Sequence, residues 1–316
     1  MPSMRTFVKN CLSVLLPLLP LTACGQSGPY NGFDVSEASI PADEIHLGGP
    51  SRDGIPAIDH PLFITPEKAG FLDGGAPVLG LELNGEARAY PVAIMNWHEI
   101  VNDQIGGRPV SVTFCPLCGS GIAFVAEAGG RALEFGVSGL LYNSDMLLYD
   151  RQTESLWSQL MGQAVSGSLK GTRLSNIPLE HTTWADWRRR HSNTRVLSQE
   201  TGYRRDYDRD PYAGYESEKG LYFPVARRDP RYHPKERVLG LELDGRFKAY
   251  PFAELSQTTG EVRDKLSGRA ILIRFDPTHR SARALDASGK PLSAVTTFWF
   301  AWYAFHPETE VFQAKP

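Results

Sequence analysis

The segment VLGLELNGEARAYP at residues 78–91 returns as VLGLELDGRFKAYP at residues 238–251. Ten of the fourteen positions are identical at a fixed offset of 160. A chain that repeats itself this closely reads as two related modules. Each copy encodes a β-hairpin. Asn84-Gly85 and Asp244-Gly245 are dipeptides that accept positive φ at both centres of a two-residue turn. Leu79, Leu81 and Leu83 alternate onto one face, as a half-buried strand requires, and Leu239, Leu241 and Leu243 repeat the pattern. Pro91 and Pro251 end the second strands.

Beyond the hairpin, Ile94, Trp97, His98 and Val101 fall at i, i+3, i+4 and i+7, the spacing of one helix face. The second copy keeps Leu255 but breaks at Thr258-Thr259-Gly260. After one inserted residue the copies align again. VSVTFCPLC at 110–118 stands against ILIRFDPTH at 271–279, so Cys115 corresponds to Asp276 and Cys118 to His279. Thr153-Glu154 matches Thr309-Glu310 loosely. The first module is thus expected over residues 61–178 and a degenerate second copy over 235–316, with a connecting segment at 179–234. In that segment Thr183-Trp184-Ala185-Asp186 resembles a capping box opening a short helix through His191. Residues 203–236, dense in Arg, Tyr, Asp and Pro, read as a long charged surface loop, with a lid or partner-contact loop as the sharper reading. The aromatic run at 298–305 reads as a core strand. The expected fold class is α+β: β-rich, with two related modules, short helices between strands, and long loops.

Residues 1–23 carry an export address. Arg5 and Lys9 precede the apolar stretch Leu12–Leu21, which is too short and proline-rich to span a bilayer. Leu21-Thr22-Ala23-Cys24 resembles a bacterial lipobox, with cleavage before Cys24 and lipid on its thiol. Gly25-Gln26 follows rather than Asp, so the expectation is a lipoprotein of the outer membrane facing the periplasm, with the membrane as a partner through Cys24. Residues 24–60 read mostly as a tether.

Hydrophobic residues make up 41% and charged residues 22%, a balance that excludes a largely disordered chain. The formal charge of −3 becomes −5 once Arg5 and Lys9 are removed, which argues against nucleic acid as a partner. Cys11 leaves with the signal and Cys24 is blocked by lipid. Of the four cysteines, Cys115 and Cys118 remain as thiols in an oxidising compartment.

The Cys115-Pro116-Leu117-Cys118-Gly119 turn therefore carries the chemistry, and four readings compete. A Cys-Pro-X-Cys-Gly turn resembles the knuckle of zinc ribbons, in which both sulfurs point one way. A second knuckle is lacking, so further ligands must be His, Asp or Glu. His98 is nearest in sequence, and Asp276 and His279 are weaker candidates at the matching turn of the second copy. Soft thiolate with imidazole suits copper(I) or zinc(II). The second reading is thiol redox chemistry on a Cys-X-X-Cys dithiol. The third is a cysteine-nucleophile enzyme, with Cys115 or Cys118 as thiolate, His98 as base and Asp145 as orienter. The fourth is a binding or scaffold protein with purely structural cysteines. Gly119 stands where haem attachment requires histidine, and no phosphate loop, nucleotide fingerprint or nucleophile elbow is present. His181, His191 and His233 read as surface or capping residues, and Trp157, Trp184 and Trp187 as core anchors.

NWHEIVND at 96–103, VTFCPLCGSGIAF at 112–124 and FGVSGLLYNSDMLLYDRQTESLWSQ at 135–159 resemble the bacterial and archaeal domain-of-unknown-function family numbered 3179. TWADWRRRHSNTRVLS at 183–198 and FWFAWYAFHPET at 298–309 are similar to it as well. The resemblance implies an exported protein of one recognisable type and supplies no catalytic residues.

Overall fold

The computed structural model describes residues 29–315; the export segment, Cys11 and Cys24 lie outside the described residues. With 40% strand and 13% helix, the chain is arranged as a five-bladed β-propeller. Five sheets of three to five strands and one two-stranded ribbon carry this arrangement. This corrects the α+β expectation. The four α-helices among the described residues run only four to seven residues, Val92–His98 (α1), Trp184–Arg190 (α2), Phe252–Leu255 (α3) and Trp299–Phe305 (α4). A helix of two turns or fewer cannot form a layer of its own; it closes the end of a sheet. Among the described residues no helix is long and apolar enough to cross a membrane.

The duplication is visible in the topology. Both hairpins form in register with two-residue turns, Leu83 opposite Glu86 and Leu243 opposite Arg246. Asn84, Gly85, Asp244 and Gly245 all have positive φ. The tyrosine of each Ala-Tyr-Pro ending donates its hydroxyl to an aspartate of a following strand. Tyr90 reaches Asp103 at 2.7 Å and Tyr250 reaches Asp264 at 3.0 Å. Each hairpin lies in a sheet flanked on one side by an antiparallel strand, Leu179–Thr183 or Val295–Phe298, and on the other by a parallel one, Arg195–Leu197 or Glu310–Val311.

A tryptophan seals each of these sheets. A Cβ on Gly80 would fall 2.2 Å from the Trp187 ring, and one on Gly240 would fall 2.2 Å from the Trp302 ring. The glycine of Val-Leu-Gly-Leu is thus required by close approach of an indole. Trp187 Nε1 donates to Thr194 Oγ1 at 2.9 Å, and Trp302 Nε1 donates to Thr309 Oγ1 at 3.0 Å. Hence the counterpart of Thr309-Glu310 is Thr194-Arg195. Thr153 is instead held in a turn by Asp150, whose Oδ1 accepts the Thr153 N–H at 2.6 Å. The first module therefore continues past residue 178, through α2 and the Arg195–Leu197 strand. Thr194→Val and Thr309→Val each leave a buried indole N–H unpaired, with an expected loss of about 1–2 kcal/mol in urea unfolding.

Two further expectations are corrected. Of the 298–305 run only Phe298 ends a strand; residues 299–305 form helix α4, because Trp299 and Trp302 share a face one turn apart while Phe300, Ala301 and Ala304 are buried as well. A helix buried on most sides shows no alternation to separate it from a strand. The segment read as a tether packs on the body from residue 29 onward. Phe33, Val35, Ile40 and Ile45 are buried, and Ile45–Leu47 pairs antiparallel with Leu140–Tyr142. Of the expected capping box the N-cap half is present, with Thr183 Oγ1 accepting the Asp186 N–H at 3.5 Å, while the Asp186 carboxylate is taken by Thr182, Arg189 and Arg190.

Between the Ser120–Val125 strand and the Leu179–Thr183 strand, the first module holds an insertion that the second lacks. Its sheet carries Phe135–Tyr142 and Asp145–Asp150, and it brings Asp145 against the cysteine turn.

Candidate metal centre

Cys115 ends the Arg108–Cys115 strand, and Ser120 opens its antiparallel partner. Gly119, at φ 59, turns the chain between them. One ligand atom from each of Cys115, Cys118 and Asp145 lies within 4.8 Å of the others. The cysteines are free, and all three residues are at most 2% exposed. Both thiols point at one backbone carbonyl, that of Ser144, Cys118 Sγ at 3.4 Å and Cys115 Sγ at 3.8 Å. A rigid polar network backs the turn. Ser120 Oγ donates to Gln159 Oε1 at 2.6 Å, and Gln159 Nε2 donates to Thr113 Oγ1 at 2.9 Å.

Asp145 Oδ2 accepts the Leu160 N–H at 2.9 Å, while Oδ1 is buried without a partner. Burial pushes this carboxyl up to about 7, against the Leu160 N–H and against nearby donors of Met146, Ser158 and Cys118 that favour its charge without reaching hydrogen-bond geometry. Burial also pushes the Cys118 thiol well up, with Cys115 and Asp145 adding to it. A second acid stands close by. Glu99 is buried, and burial together with the charge of Asp145 raises it to about 8.

Glu99 is a residue the sequence reading missed. It ends α1 with φ 59 and ψ −28, a left-handed conformation costly for a residue with a Cβ. Its counterpart is Gly260, at φ 90. The two carbonyls do the same job, accepting the N–H of Phe114 and of Phe275, both at 2.7 Å. Aligning the copies residue by residue through the one-residue insertion would have exposed this exchange.

Of the candidates drawn from the sequence, Cys115, Cys118 and Asp145 come together; the others do not join them. His98 Nδ1 donates to the Pro56 carbonyl at 2.8 Å and Nε2 accepts from Tyr207 at 2.7 Å, so both ring nitrogens are spent. The physical reason is its place at the last position of α1, against the strap at 199–236 rather than the cysteine turn. Asp276 and His279 group with Asp186. There Asp186 is ion-paired to Arg189 at 2.7 Å and Arg190 at 2.8 Å, and despite partial burial these partners hold it down at about 2. Asp276 Oδ1 caps its own turn, and His279 Nδ1 lies 2.7 Å from Thr183 Oγ1. A carboxylate already neutralised by two guanidiniums is a poor cation ligand.

The charged segment is no mere surface loop. Tyr215 is buried in the same core cluster as Cys115 and Cys118, and Lys235 Nζ, over the Tyr215 ring, donates to the carbonyls of Glu218 and Gly220. Ser144 and Asn143 bond the same strap at Phe223 and Ala226.

His181 is also buried, contrary to the surface reading. Its Nε2 accepts the Gly121 N–H at 3.0 Å, and a Cβ on Gly121 would meet that nitrogen at 2.5 Å. Burial drives its pKa down to about 3. The unfolded chain therefore takes the proton first, and the stability contributed by neutral His181 is lost as pH falls below about 6.5. The counterparts are Thr296 and Ala282, so His181→Thr with Gly121→Ala copies the second module. That variant is expected to remove up to about 1.4 kcal/mol of destabilisation per pH unit of acidification, read from urea midpoints between pH 4 and 7.

The model of the family described as "Protein of unknown function (DUF3179)" matches residues 52–309 of the chain. No curated protein and no solved structure matches it.

Proposed function

We propose a function for a chain that belongs to the DUF3179 family, whose description states no activity: Cys115, Cys118 and Asp145 hold a soft metal ion, zinc(II) ahead of copper(I). The observation that carries this is the buried, unpartnered Asp145 Oδ1 beside two free thiols. A buried polar atom left unpaired costs roughly 1–3 kcal/mol, and a bound cation removes that cost. Two sulfurs and one carboxylate oxygen suit zinc, whose sites mix these donors; an all-soft set would have favoured copper(I). The protein's part is to hold the three donors at one point, exclude water with Tyr215, and release their protons as the ion enters.

Metal analysis of the protein purified under reducing conditions tests this. Absence of bound zinc and copper, or metal retained in a Cys115→Ser, Cys118→Ser protein, overturns it and leaves a scaffold with structural cysteines. Thiol exchange is the weaker reading, since it needs an accessible thiolate and both sulfurs are buried. Nucleophilic catalysis loses its base with His98 engaged elsewhere.

The lipobox-like Leu21-Thr22-Ala23-Cys24 supports placement on the outer membrane, facing the periplasm, through lipid on Cys24. Cys24→Ser is expected to move the protein from the membrane fraction to the soluble one; continued sedimentation with membranes would refute the anchor.

A further inference from the structure

A cavity of about 430 Å³ lies between the two equivalent turns, lined by Pro116 and Gly119 of the first and by Thr278, His279 and Arg280 of the second. It is distinct from the thiol site, because neither cysteine lines it. Each module reaches across to the other's turn. Phe298 N–H donates to the Cys118 carbonyl at 2.8 Å, while Thr183 Oγ1 meets His279. A volume of this size is that of a small-molecule pocket.

We infer that this cavity binds a small monoanion with an apolar body, its acceptor oxygens held by His181, Arg237 and Arg280. The apolar half is supplied by Phe114, Pro116, Phe298 and Tyr212. The polar half is a set of donors. His181 Nε2 is occupied by the Gly121 N–H, which fixes the ring proton on Nδ1. No group among the described residues accepts from Nδ1, although His181 is 6% exposed and lines the cavity.

Glu216 gathers the two guanidiniums on one wall. Its carboxylate accepts from Arg237 Nε and Nη2, both at 3.1 Å, and from Arg280 Nη2 at 2.8 Å. Two cations on one anion leave this wall with one positive charge and unspent N–H groups, a setting for an anionic acceptor, while Asp210 elsewhere on the lining makes the cavity neutral as a whole. The other carboxylate on the lining, Asp210, is engaged by Asn96 Nδ2 and the Tyr212 N–H. The donors arise where the copies diverge. His181 replaces the second module's Thr296, and Arg237 and Arg280 replace the first module's Pro77 and Gly119. Both modules have changed toward the same cavity.

Calorimetric titration of the full chain with benzoate, and with benzamide as its neutral counterpart, tests the inference. Benzoate is expected to bind saturably and benzamide at least about tenfold more weakly, the loss of a charge-assisted hydrogen bond. His181→Thr with Gly121→Ala, and separately Arg280→Gln, are each expected to weaken benzoate at least about tenfold. Arg280 is largely exposed, so its variant keeps the test open if the double variant fails to fold. Equal affinity for benzamide, no saturable benzoate binding, or affinity unchanged in Arg280→Gln overturns the inference.

Discussion

Zinc is expected to copurify with this protein at about one ion per chain, and replacing Cys115 and Cys118 with serine is expected to abolish it. The effect on stability follows by linkage. A ligand that binds only the folded state stabilises it by about 4 kcal/mol when its free concentration is 1,000 times Kd. At about 2–4 °C per kcal/mol, chelation should lower the melting temperature by roughly 10 °C. The serine protein should melt at one temperature with or without chelator. Asp145→Asn should fall between, because it keeps both thiols but removes the carboxylate whose Oδ1 is orphaned. A melting temperature indifferent to chelator in the native protein would remove the metal from the account.

The repeat makes much of the fold legible in the residues alone. Each leucine-alternating strand and Asn-Gly or Asp-Gly turn forms the hairpin it predicts, because turn chemistry and a half-buried face are local properties. The cysteine turn and the Thr183 cap are readable for the same reason. What escapes the sequence is non-local. Aromatics stand at positions two apart (Phe298, Phe300, Trp302) and at positions three apart (Trp299, Trp302, Phe305), so only the sheet beneath Trp299 and Trp302 settles that residues 299–305 coil. His98 suggests itself as a ligand because it is near Cys115 in sequence. The helix that carries it ends by turning it toward Pro56 and Tyr207, the latter 109 residues away. Asp145 reads from the sequence as an orienter for histidine; the insertion's hairpin instead makes it the third member of the thiol group. Blade count lies beyond the pattern, since two copies of a hairpin do not say how many sheets the intervening chain will add.

Glu99→Gly should make the protein more stable and poorer at holding metal. A left-handed conformation costs a residue with a side chain about 1–2 kcal/mol, and glycine escapes this while losing about 0.5–1 kcal/mol in chain entropy. The same turn in the second module is built with Gly260, so the backbone tolerates the change. Removing a buried carboxyl, raised to about 8 by burial and by Asp145, adds further to the gain. A net rise of about 1–2 kcal/mol in urea unfolding is expected. Strain kept in one copy and relieved in the other needs a reason, and a second buried carboxyl close enough to feel the charge of Asp145 supplies one. With Glu99 gone, the site loses a carboxyl that an incoming cation would ionise, and zinc affinity should fall at least about tenfold. Glu99→Gln separates the two effects, because it keeps the Cβ in the left-handed conformation while removing the ionisable carboxyl. It should lose the affinity without relieving the backbone strain. If zinc affinity instead survives in both variants, the strain at Glu99 serves something other than the metal.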